Sequence, residues 1–274
     1  MPDPANPLRG WWRDGAQTVG TWCSLPSPAA VEAVAQAGFE WVIVDWQHGH
    51  FGDDQLGTLI LVAAHAGAVP IVRVPLNDPW LIQKALDLGA YGVVVPLVNS
   101  AADAQRAATA TRYPPRGVRS FGPIRASRAI GWEPEAANRE IVCIVQIETR
   151  EGLDAVEKIA AVDGVDALFV GPADLAISLG LPLGSSELDD HLDPVHRAAR
   201  EHRLPLGRHV DTADQARELF DAGYNFLAVG GDAEFLGAAA TTAAREARIS
   251  PAPPRPDFPA NVCRLLVSSA PPAP

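Results

Sequence analysis

Eight apolar, strand-length runs, each followed by a stretch with helical period, constrain this chain more than any other feature. The runs are 18–25, 41–46, 69–74, 91–96, 141–148, 166–171, 204–210 and 225–231. The helical stretches are 27–38, 53–66, 79–88, 100–112, 150–161, 173–179, 212–222 and 232–247. Runs such as W-V-I-V-D-W and D-A-L-F-V-G do not alternate apolar with polar residues, as strands covered on both faces of a parallel sheet require. Ser27, Pro28 and Gly38 punctuate the first helix as cap, first-turn proline and terminator. Eight such units in 274 residues predict an α/β fold, a (β/α)8 barrel, with a doubly wound open sheet as the alternative. The chain divides into an N-terminal extension (1–17), a barrel (18–249) and a Pro/Ala-rich tail (250–274) whose end, Ala270–Pro274, reads as disordered. The Arg- and Gly-rich connection 113–140 interrupts the rhythm. Loops this long are functional, interfacial or disordered, and an interface is the expectation here.

Composition excludes some classes. With a net charge of -11 the chain lacks the clustered cations that a phosphate backbone needs, so nucleic acid is not expected as a partner. No apolar stretch approaches the roughly 18 residues that span a bilayer, so no membrane association is expected. The N-terminus lacks a basic start and apolar core, and no secretory signal is expected. Cys23, Cys143 and Cys263 lack metal-ligand spacing and read as inert thiols of a reduced, cytoplasmic protein.

Chemistry-bearing residues collect at strand ends. Glu148 closes I-V-C-I-V-Q-I-E, Asp174 closes A-L-F-V-G-P-A-D, and W-V-I-V-D-W-Q-H-G delivers His48. In a barrel this rim carries the active site. Two carboxylates on neighbouring strands suit a hard divalent cation, and a histidine beside them suits a base; the bland reading of either acid is a helix N-cap. Lysine supplies a negative. The chain has only Lys84 and Lys158, each on the polar side of its helix, and a Schiff-base lysine must be desolvated in the site. Carbonyl chemistry here therefore needs a metal as electron sink.

Six ordered segments carry a family resemblance: A-G-F-E-W-V-I-V-D-W-Q-H-G, I-V-R-V-P-L-N-D, L-D-L-G-A-Y-G-V-V-V-P, R-Y-P-P-R-G-V-R-S-F-G-P-I-R-A, V-Q-I-E-T-R-E-G and V-D-A-L-F-V-G-P-A-D-L-A-I-S-L-G. Over roughly 18–245 the chain resembles the HpcH/HpaI aldolases, the metal-dependent (class II) pyruvate aldolases. The resemblance implies a (β/α)8 barrel in a homo-hexamer, a trimer of dimers with exchanged C-terminal helices. It implies reversible cleavage of a 4-hydroxy-2-oxo acid to pyruvate and an aldehyde, small molecules being the only partners besides other subunits. Glu148 and Asp174 then resemble the ligands of Mg²⁺, Mn²⁺ or Co²⁺. Arg73 resembles the clamp on the keto-acid, and His48 the base, with Asp45 orienting its imidazole. Gln146 resembles a substrate-oxygen partner, the turn before Ala173 and Asp174 a carboxylate cradle, and Trp22 a pocket wall. Asp87 resembles an acid reaching a neighbouring subunit's site, with plain solvation as the alternative; His50 reads as a solvated loop residue. The chain departs from the family pattern at Gln47, where a glutamate is common, removing a charge that tunes metal affinity. Alternative readings are an oxaloacetate-decarboxylating enzyme of the macrophomate synthase type, a citrate-lyase-like acyl-CoA lyase, a phosphate-binding isomerase using V-G-G-D (229–232), and a non-catalytic metal-binding protein.

Overall fold

The structure, a computed structural model, describes residues 6–247. Cys263 and the expected tail lie outside them. The strands are β1 Thr18–Cys23, β2 Trp41–Asp45, β3 Val69–Arg73, β4 Gly92–Val95, β5 Val142–Ile147, β6 Ala167–Val170, β7 Leu206–Val210 and β8 Phe226–Gly231. They run parallel in sequence order and β8 pairs with β1, so the expected barrel is present and the open sheet is excluded. Each strand lies inside the run that predicted it. Closure shifts the register between Gly20 and Trp22, where the Thr21 hydroxyl donates to Val229 O at 2.8 Å.

The apolar runs serve two cores. Ile43, Ile71, Val94, Ile144 and Phe169 fill the barrel, while Val42, Val72, Val93, Val145 and Leu168 pack outward in the larger cluster shared with the helices. Alternate residues thus meet different apolar partners, which is why no polar alternation shows in the sequence. A side chain at Gly20 has no room, because its Cβ would stand 2.1 Å from Trp41 ring carbons.

The residues expected as an extension include a helix, Pro7–Arg13, that closes the N-terminal end of the barrel. Leu8 is fully buried in the inner cluster and Trp12 packs on Phe226 at 4.9 Å. Asn6 caps this helix and donates from Nδ2 to Tyr91 O and Glu140 O.

Three further departures follow from short segments. The 150–161 stretch is two helices, Arg150–Asp154 and Val156–Ala160. Between β6 and β7 the chain adds a 3-10 turn, Ser186–His191, and a helix, Asp193–His202, that the sequence reading did not assign. That helix buries only Val195, Ala198 and Ala199, too sparse a stripe to stand out among its charged neighbours. Within 113–140 stand the helices Ser127–Ile130 and Pro134–Glu140. This connection is tied down: Arg119 donates to Asp87 at 2.7 Å and lies over the Tyr113 ring, and Tyr113 N–H donates to Asn138 at 2.6 Å. It exposes Val118, Phe121, Ile124 and Trp132.

The barrel unit runs to Asp232. Residues from Ala233 form a second unit, a helix ending at Glu246 with Leu236 exposed. No helix among the described residues is long and apolar enough to cross a membrane. Cys23 and Cys143 are buried thiols, and burial pushes Cys143 up to about 12.

Candidate active site

Glu148 immediately follows β5 and is 3% exposed. Its Oε1 accepts the Leu97 N–H at 2.6 Å and its Oε2 accepts Gln146 Nε2 at 2.6 Å. Both donors are neutral, and each oxygen keeps a further lone pair. Burial pushes the Glu148 carboxyl above its ordinary value; the Leu97 N–H opposes this, Asp174 reinforces it, and Arg73 and Gln146 oppose it. Asp174 is thus near enough for its charge to act on Glu148. Neither is a helix cap: Thr149 caps one helix, accepting from Gly152 N–H, and Gly171 stands at the N-cap of the other, Pro172–Leu179. Asp174 and Ala173 lie in the exposed first turn of that helix, beyond the end of β6 rather than on it.

Gly171 permits this packing. A Cβ there would stand 2.7 Å from Gln146 Nε2 and 2.9 Å from Glu148 Cβ. Leu97 supplies its N–H from a left-handed backbone, φ 54°, which a leucine adopts only at a cost.

A second group spans β1, β2, β3 and β7. Asp45, paired in register with Arg73, accepts from Arg73 Nε at 2.8 Å and Nη2 at 2.6 Å. The guanidinium lies 4.3 Å over the Trp22 ring, and Trp22 Nε1 donates to His209 Nδ1 at 3.1 Å. With Nδ1 accepting, the His209 proton sits on Nε2, which lies 3.4 Å from Asp211. Trp22 also meets Phe169 edge-on at 6.0 Å.

One expectation is corrected here. Asp45 was to orient the His48 imidazole, but its carboxylate is taken by Arg73. What it gives the histidine is the turn: Oδ1 accepts the backbone N–H of Gln47 and His48, both at 3.2 Å. The His48 ring is exposed and has no hydrogen-bond partner among the described residues. His50 is also exposed, with its N–H on Ser24 O.

A family model described as HpcH/HpaI aldolase/citrate lyase matches residues 18–239. The chain belongs to that family. A hydroxypyruvate/pyruvate aldolase of Rhizorhabdus wittichii is 37% identical over 248 residues, 89% of this chain and 99% of that protein. A 5-keto-4-deoxy-D-glucarate aldolase of Klebsiella pneumoniae is 36% identical over 220 residues, 78% of this chain and 86% of that protein. Among solved structures, an HpcH/HpaI aldolase/citrate lyase family protein of Burkholderia cenocepacia superposes with a TM-score of 0.82 at 35% identity, covering 88% of this chain and 99% of that one.

In this HpcH/HpaI barrel the donors suit a hard cation. A buried carboxylate, a second acid beside it and the buried, unpartnered Gln146 Oε1 are all oxygen. Among the described residues no three His, Cys, Asp or Glu side chains converge on one point. Mg²⁺-like ions commonly take one or two carboxylates and complete their shell with water and substrate. Gln146 sits beside Glu148 as its spacing implied, but its amide N–H is engaged by that acid. The Gln47 Oε1 is likewise buried without a partner.

Other candidates resolve structurally. Asp87 keeps 31% of its side chain exposed and accepts from Arg119, whose own side chain is 2% exposed. Asp232 of V-G-G-D is buried and accepts from Ser24 N–H, Ser24 Oγ and Leu25 N–H, which puts a carboxylate where the phosphate reading needs an anion. Lys84 and Lys158 are exposed, as the helical pattern required. Sequence reading missed Leu97 and His209. Only the non-glycine left-handed backbone distinguishes Leu97, and His209 lies within β7, in a run that was read only as a strand.

Proposed function

We propose that this chain is a divalent-metal-dependent pyruvate aldolase, cleaving a 4-hydroxy-2-oxo acid reversibly to pyruvate and an aldehyde. One observation carries the reading: a desolvated glutamate beside a second acid, held only by neutral donors, at the C-terminal rim of an HpcH/HpaI barrel. The two named relatives are both aldolases, which agrees with it.

Glu148 and Asp174 would hold Mg²⁺, Mn²⁺ or Co²⁺, whose chemistry when bound is Lewis-acid stabilisation of an enolate oxygen. The residues of the chain do the rest. Arg73, fixed by Asp45 through Nε and Nη2 and seated on Trp22, presents Nη1 to the oxo-acid oxygens. The first-turn amides of Ala173 and Asp174 receive the substrate carboxylate at a helix start. His48, exposed and without a partner, takes the proton from the C4 hydroxyl; the C3–C4 bond breaks, the aldehyde leaves, and protonation at C3 completes pyruvate. The acceptor end faces a cavity of about 450 Å³ between the loops after β6 and β7, with Ala173, His209 and Asp211 on its wall. A homo-oligomer agrees with the exposed Phe121, Ile124 and Trp132, and a reduced, cytoplasmic setting agrees with two buried thiols.

A pyruvate-release assay tests the proposal. EDTA abolishes turnover and added Mn²⁺ or Mg²⁺ restores it, while borohydride traps no substrate adduct. A borohydride-stable adduct would overturn the scheme. Arg73→Ala also loses oxaloacetate decarboxylation; a variant that keeps it removes Arg73 from the clamp role.

A further inference from the structure

The barrel has a second polar cavity at the opposite end from Glu148. It holds about 440 Å³, within the range of small-ligand pockets, and lies at the N-terminal end of β5 and β6. Four arginines line it, Arg9, Arg112, Arg116 and Arg139, against two acids, Asp163 and Asp166. A chain of net charge -11 repels anions over most of its surface, so a concave site with excess guanidinium is a local reversal of sign.

The arginines are not equivalent. Asp166 fixes the inner pair, accepting Arg9 Nη2 at 2.7 Å and Arg112 Nη2 at 2.6 Å. Arg9 also donates to Ile141 O, yet its Nε is buried and has no hydrogen-bond partner. The outer pair is available. Arg116 meets Glu135 only at 3.3 Å with both side chains more than half exposed, a pair of little energetic weight. Arg139 is exposed and makes no ion pair with a described residue. Asp166 answers the inner pair, while at the mouth Arg116 and Arg139 face only the exposed, loosely held Glu135 among ion-pair partners. Guanidinium forks bind oxyanions through paired N–H donors.

We propose that this cavity binds a small multivalent oxyanion, a phosphate-bearing or polycarboxylate metabolite, independently of the catalytic rim. Arg116 and Arg139 contact the anion, and the Asp166-held arginines form the wall behind it.

The test uses the full chain in EDTA, titrated calorimetrically with inorganic phosphate and, separately, with tricarballylate, each against sodium chloride at matched ionic strength. The expected result is saturable binding of at least one anion, weakened at least tenfold by Arg116→Ala/Arg139→Ala and unchanged by Arg73→Ala; the stronger arm names the class. Both substituted residues are exposed, so far-UV circular dichroism of the double variant stays that of the wild type. Binding no stronger than chloride, equal binding by the double variant, or loss only in Arg73→Ala would overturn the proposal. A double variant that changes the sedimentation of the oligomer but keeps its anion affinity also overturns it, by assigning the arginines to subunit contacts.

Discussion

Two carboxylates on neighbouring strands meet opposite fates. Asp166 precedes β6 at the foot of the barrel, and Glu148 follows β5 at the rim. Asp166 receives two arginines and the Cys143 N–H at 2.7 Å, so its charge is answered within the chain. Glu148 is more deeply buried yet accepts hydrogen bonds only from an amide and a backbone N–H, with Asp174 adding repulsion and Arg73 a lesser attraction. A buried charge that holds no ion pair is costly. The foot carries its own counter-charges, and the rim is where we propose the cation binds. The apolar plug of Leu8 and Trp12 below, and the strained Leu97 above, follow the same division.

Exchanging the amide for each acid should separate the two roles. Glu148→Gln is expected to lower kcat/KM at least about 10³-fold by removing a metal ligand, with thermal unfolding no worse than wild type. Asp166→Asn is expected to do the reverse, costing about 2–4 kcal/mol because Arg112 loses its partner, discounted for the part-exposed Arg9, while activity per folded molecule is kept. Parallel denaturant curves and steady-state kinetics check both. Equal losses of stability in the two variants would dissolve the distinction.

Gly171→Ala probes how finely the rim is set. Its Cβ would meet Gln146 and Glu148 at 2.7 and 2.9 Å, so the carboxylate must shift. Kinetics should show a loss of about 10²-fold, since displacements near 1 Å carry such factors, with little change in the unfolding midpoint. Full activity would mean that the acid's placement is not critical.

The smallest effect concerns pH in the metal-free protein. Burial raises the Glu148 carboxyl, so the stability it contributes is fully present below its ordinary value of 4.5 and is lost as pH rises through the folded value. The melting temperature of EDTA-treated wild type should therefore fall relative to Glu148→Gln as pH rises above 4.5. Divalent cation should abolish that fall, because the ion replaces the proton. A parallel pH course for the two proteins would contradict the raised value.

The sequence exposed most of the scaffold and the acids of the rim, and hid the wiring between them. Strands of uniform apolar character announce a parallel sheet because both faces are covered, so all eight were legible. Glu148 and Asp174 were legible because strand-to-helix turns put them on one rim. Pairings across strands were not. The resemblance gave Asp45 to His48, three residues along the chain, whereas the barrel register sets it opposite Arg73. Nor does a sequence show that Leu97 turns a backbone N–H toward Glu148, since that depends on a φ of 54°. The helix Asp193–His202 stayed hidden because three small apolar residues do not make a visible stripe.

The central claim is that Glu148 and Asp174 hold one divalent cation, and its most direct test is Mn²⁺ titration of the EDTA-treated protein followed by electron paramagnetic resonance. The account predicts one tightly bound Mn²⁺ per chain, lost in Glu148→Gln and in Asp174→Asn and retained in Asp166→Asn. Undiminished Mn²⁺ binding in Glu148→Gln/Asp174→Asn would contradict it.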